Sequence, residues 1–71
     1  MNKKYYADII LDYTDIKHTI ACEVGSKRQE IMELVSLFAK KQKLICNLKT
    51  KKFFDSQGKE VGYFEITSIN I

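Results

Sequence analysis

Apolar residues recur at helical spacing between Ser26 and Gln42. Ile31, Leu34, Val35 and Phe38 follow i, i+3, i+4, i+7, which puts them on one face of a helix. Gln29, Glu33, Ser36 and Lys40 fall on the opposite side. Ser26 and Gln29 have the spacing of a capping box, in which each side chain satisfies a backbone donor of the first turn. Lys40, Lys41 and Lys43 crowd the far end, where the helix dipole favours cations. The pattern predicts one helix over Ser26 to Gln42.

On either side the period drops to two. Tyr5, Ala7, Ile9 and Leu11 point one way, with Asp8 and Asp12 marking the other face as wet, and Ile16, His18, Ile20, Cys22 and Val24 form a second row opposed by Lys17, Thr19 and Glu23. Asp12 to Asp15 reads as the loop between two strands. Pairing Leu11 with Ile16 sets Ile9 beside His18, Ala7 beside Ile20 and Tyr5 beside Cys22, so both apolar rows share a face. After the helix a strand is expected from Leu44 to Phe54. Ser56-Gln57-Gly58 then suits a hairpin loop with Gly58 in the left-handed conformation and Asp55 opposite Lys59. The same register sets Leu48 by Ile66, Thr50 by Phe64, Phe53 by Val61 and Lys49 by Glu65. Gly62 is a candidate bulge.

The order is ββαββ: a four-stranded antiparallel sheet, α+β in class, with the helix on one face. A right-handed crossover favours the strand order 2-1-3-4. The expected core is Ile9, Leu11, Ile20, Cys22, Val24, Ile31, Leu34, Val35, Phe38, Leu44, Cys46, Leu48, Phe64 and Ile66.

A chain of 71 residues has room for a single small globular domain, residues 1–71. Its 45% apolar content suffices for one core, and the absence of proline and of low-complexity runs argues against disorder. No apolar stretch reaches the roughly 18 residues of a membrane span. Asp8 interrupts the apolar run near the start, so that segment does not read as a signal peptide. A cytoplasmic, reducing setting is expected. The net charge of +3 is a weak field, and Arg28 is the only arginine among twelve basic residues. Lysine lacks the planar fork that reads a base edge or clamps a phosphate.

Candidate chemistry is sparse. His18 and Cys22 lie about 13 Å apart on an extended strand, too far to share a metal, and no CxxC knuckle accompanies them or Cys46. The cysteines read as small buried hydrophobes. No nucleophile has a base and an orienting group beside it, and no glycine-rich loop is present to cradle phosphate. No catalytic residue, metal, cofactor or small-molecule substrate is inferred.

The informative feature is the far face of the second hairpin. The expected register puts Ile45, Asn47, Lys49, Lys51 and Phe53 there, beside Val61, Tyr63, Glu65, Thr67 and Ile69. Tyr6 and Ile10 adjoin them, and Leu37 sits on the wet side of the helix. A solvated sheet face should be mainly polar, and one this apolar calls for a partner. The first reading is a non-enzymatic protein-interaction module, self-associating as a homodimer or docking on a larger target. Its partner-binding residues would be Phe53, Tyr63, Val61, Lys49, Lys51, Ile45, Ile69 and Leu37. The alternative is nucleic acid, with Phe53 and Tyr63 stacking bases while Lys40, Lys41, Lys43, Lys49 and Lys51 hold phosphates.

Overall fold

The computed structural model describes residues 2–71. One helix, α1 (Arg28–Lys41), lies on an antiparallel sheet of five strands. These are β1 (Lys3–Leu11), β2 (His18–Ala21), β3 (Ile45–Asn47), β4 (Lys52–Phe54) and β5 (Glu60–Asn70), in the order β2-β1-β5-β4-β3. The class is α+β as expected; the strand count and order are not.

The first hairpin keeps its expected register, with Ile9 opposite His18 and Ala7 opposite Ile20. The Cys22 N–H donates to the Tyr5 carbonyl at 3.0 Å, continuing the row beyond β2. The strand is shorter than its alternating pattern, however, and Ile16 and Val24 at its two ends are exposed.

The segment expected as one strand from Leu44 to Phe54 is broken by a turn over residues 48–51. Asn47 organises that turn. Its side-chain oxygen accepts from the N–H groups of Lys49 (2.9 Å) and Thr50 (3.2 Å), and its carbonyl accepts from Lys51 N–H at 2.8 Å. Such side-chain bonding to the local backbone competes with strand pairing. Lys51 leaves the turn at φ 60°, in the left-handed region. The fifth strand arises here, and the parity of β4 is reset, so that Phe53 turns inward and Phe54 outward.

The strand order follows from length. β1 and β5 are by far the longest strands and pair from Lys3 opposite Asn70 to Leu11 opposite Gly62. Their inner rows are complementary in size: Ala7 faces Ile66 and Leu11 faces Gly62. The three-residue β3 offers no comparable surface, so it goes to the edge rather than beside β1. The helix therefore carries the chain from one edge strand, β2, to the other, β3. The second hairpin retains the Ser56-Gln57-Gly58 loop, with Gly58 at φ 83° and Asp55 N–H bonded to the Lys59 carbonyl at 2.9 Å. Its register differs: Lys52 opposes Tyr63, Phe53 opposes Gly62 and Phe54 opposes Glu60, with a bulge at Val61.

The helix begins later than the capping box implied. Lys27 occupies the N-cap without a side-chain bond, and Gln29 donates instead to Glu33 at 3.5 Å. The C-terminus is a Schellman motif. Leu44 N–H bonds the Ala39 carbonyl (2.8 Å) and Lys43 N–H the Lys40 carbonyl (3.1 Å), with Lys43 at φ 58°. Ile31, Val35 and Ala39 form the buried stripe, and Leu34 and Phe38 flank it half-buried. These meet Ala7, Ile9, Leu11, Cys22, Phe53 and Phe64 in one core. Leu48, expected in that core, is instead exposed in the 48–51 turn.

Candidate docking surface

The helix covers one face of the sheet, and no element among the described residues covers the other. Side chains reaching the open face come from alternate positions on each strand. β1 supplies Lys4, Tyr6, Asp8 and Ile10; β5 supplies Tyr63, Glu65, Thr67 and Ile69; β4 supplies Lys52 and Phe54, and β3 supplies Ile45. Cross-strand pairing turns these into rows. Ile10 stands opposite Tyr63, Tyr63 opposite Lys52, and Phe54 opposite Ile45. The result is two apolar pairs on one face, Ile10–Tyr63 and Phe54–Ile45, with the Lys52–Glu60 ion pair between them and with Tyr63 41% and Ile45 57% exposed.

Charge on this face is divided between signs. Lys52 pairs with Glu60 at 3.1 Å, half exposed on both sides, a contact of about 0–1 kcal/mol. Asp8 accepts from the Thr19 hydroxyl at 3.0 Å and stands opposite Glu65 on the neighbouring strand. Lys4 lies over the Tyr6 ring, 5.5 Å from its centre. Three carboxylates against two ammonium groups give a face with no positive excess.

The expected site residues divide among three places. Tyr63, Ile45 and Ile69 are exposed on the open face, where the sequence pattern put them. Phe53 is not: it is fully buried, packed on Phe64 (ring centres 5.4 Å apart) and Phe38 (6.1 Å). Lys51, with its left-handed backbone, shifts the parity by one, and Phe54 takes the outer position intended for Phe53. Val61, carried by the bulge, packs half-buried against the core. Lys49 and Lys51 leave the face altogether for the 48–51 turn.

Lys40 and Lys41 occupy the last helical turn, and Lys43 follows them in the Schellman motif. The five candidate phosphate-holding lysines thus lie in the helix end and a turn, apart from Tyr63 and Phe54. Leu37, 53% exposed, belongs to the helix layer, between a groove lined by Met32, Lys40 and Leu48 and another lined by Ile20, Phe38 and Lys41. Sequence reasoning missed Phe54 as an outer residue and Phe53 as a core one. The signal was the left-handed Lys51, which alternation alone does not reveal.

His18 packs its ring on Phe38, centres 5.3 Å apart. Both cysteines are free thiols. Burial raises both thiol pKa values, and the Glu30 carboxylate adds to the rise at Cys22. Among the described residues no group of three or more His, Cys, Asp or Glu side chains gathers where it could hold a metal ion. No helix of the described residues is long and apolar enough to cross a membrane. The chain matches no protein-family model, no curated protein and no solved structure.

Proposed function

We propose that this protein is a small non-enzymatic interaction module that docks on another protein through its open sheet face. The observation that carries the reading is the uncovered sheet face with its apolar pairs Ile10–Tyr63 and Phe54–Ile45, and polar and charged residues between and around them. Uncovered apolar surface rimmed by polar groups is the usual form of a protein-binding site. Tyr63 sits centrally and half exposed, as an aromatic anchor does.

Nucleic acid is the less favoured occupant. A single-strand platform needs aromatics and phosphate-holding cations on one surface. Here the exposed aromatics share a face with Asp8, Glu60 and Glu65, while the lysine cluster lies elsewhere.

The test is capture from the native cell with the parent and with three variants, before and after nuclease. A protein retained after nuclease, and lost with Tyr63→Ala or Ile45→Ala but kept with Lys40→Ala, supports the reading. Each lost anchor should weaken binding by about 2 kcal/mol, roughly thirtyfold. Capture abolished by nuclease, or dependent on the lysines with a steep loss in salt, would overturn it.

A further inference from the structure

The two long strands outrun the rest of the sheet. β5 pairs with β1 as far as Asn70, but with β4 only through Tyr63. The last bond on the β4 side runs from Phe64 N–H to the Lys51 carbonyl at 2.9 Å. Beyond it no strand among the described residues lies on that side of β5 from Glu65 to Asn70. Backbone groups alternate in direction along a strand. Phe64 points its N–H toward the β4 side, so Ile66, Ser68 and Asn70 do likewise. The odd-numbered residues point to β1, consistent with Asp12 N–H bonding the Val61 carbonyl and Ile71 N–H the Asn2 carbonyl. No strand, turn or side chain among the described residues bonds the outward groups of Ile66, Ser68 and Asn70.

The other edges are protected. β2 and β3 are only four and three residues long. The flank of β1 beyond β2 is bonded by Cys22 to Tyr5 and by Gly25 to the Lys3 carbonyl. Short strands, lysine, proline and covering loops are the devices that keep edges from pairing. The β5 edge has none of them: Glu65 to Ile71 reads EITSINI, rich in β-branched residues, with neither lysine nor proline.

We infer that this edge pairs with the same edge of a second copy, antiparallel about a two-fold axis at Ser68. In that register Ile66 of each copy faces Asn70 of the other, and the two Ser68 residues face each other. All three open residues then exchange both of their backbone bonds. A register centred on Thr67 would set Asn70 against Phe64, whose N–H is already taken by Lys51. One centred on Ile69 would pair, among the described outward-pointing residues, only Ser68 with Asn70. The Ser68 register also places Thr67 against Ile69 on the outer face, a β-branched pair repeated by the two-fold. Glu65 meets Ile71 and no like charge. This self-complementarity selects a second copy as the occupant. The dimer uses in-plane backbone groups and does not rest on docking through the open face.

The test is sedimentation equilibrium of the full chain from micromolar to millimolar concentration. The parent should associate reversibly from 8.3 kDa to twice that mass. Ser68→Pro should stay monomeric and folded, because its lost N–H faces solvent in the monomer and the dyad in the dimer. Ser68→Lys, which keeps the N–H but sets two ammonium groups opposite each other, should also lose the dimer. Circular dichroism checks the fold of each; if the proline variant unfolds, the lysine variant decides. Tyr63→Ala should leave the dimer intact. A parent that stays monomeric throughout, or a dimer that persists in a folded Ser68 variant, would overturn the inference. So would a dimer lost only with Tyr63→Ala, which would assign self-association to the open face.

Discussion

Truncating Phe53 is the sharpest perturbation of this fold. Its ring is fully buried between Phe38 and Phe64, beneath the helix. Phe→Ala at such a site costs about 3–5 kcal/mol, of which each ring–ring pairing supplies roughly 0.5–1.5 kcal/mol. A domain of this size has only about 3–5 kcal/mol of net stability from its core. Phe53→Ala should therefore be largely unfolded in water. Phe53→Leu, which retains most of the volume, should cost about 1.5 kcal/mol and lower Tm by roughly 6–12 °C. Tyr63→Ala, on the open face, should move stability by about 0.5 kcal/mol or less. Urea titration followed by far-UV circular dichroism measures all three. Had strand alternation continued unbroken from Leu44, Phe53 would be outside and its substitution nearly silent. A Phe53→Leu variant as stable as the parent would refute the packing.

Gly62→Ala should destabilise by on the order of 1–3 kcal/mol or more, read as a lowered Tm, because the added methyl would strike the Ile10 carbonyl and lie 2.9 Å from Leu11 Cδ2. Lys43→Gly should raise stability by about 1 kcal/mol in the same titration, since Lys43 holds a left-handed conformation that glycine adopts without strain. Folded Cys22 and Cys46 should alkylate slowly at neutral pH, because burial keeps both thiols protonated. Their folded pKa values are raised, so above the ordinary thiol pKa of about 8.5 the unfolded chain loses protons first and stability should fall as pH rises. Fast, equal labelling of both cysteines at pH 7 would contradict that burial.

The sequence makes legible whatever is local and repetitive. The β1–β2 register follows from two apolar rows and a short loop, and the helix from its own stripe, displaced only slightly toward Ala39. Gly58 declares its turn. The rest depends on interactions that alternation does not encode. Asn47 binds the backbone ahead of it and opens a turn inside what reads as one strand. The left-handed Lys51 then exchanges the roles of Phe53 and Phe54, adjacent residues of the same type. Strand order rests on which distant pairing buries most: Ala7 against Ile66 and Leu11 against Gly62 fit in size only once β5 is laid beside β1. The open face was readable as an apolar surplus around Tyr63 and Ile45. Its exact membership was not, because that required the parity set by residues 48–51.

Both the open face and the unpaired β5 edge depend on β5 lying between β1 and β4. Solution NMR tests this placement directly. Non-hydrogen-bonded antiparallel pairs bring their Cα atoms to about 4.5 Å, close enough for strong Hα–Hα cross-peaks. With the odd residues of β5 bonded to β1, those pairs are Ile9 with Phe64, Ala7 with Ile66, and Tyr5 with Ser68. The account predicts Hα–Hα cross-peaks for all three. Cross-peaks from Ala7 or Ile9 to the residues of β3, with none to Phe64 or Ile66, would contradict it.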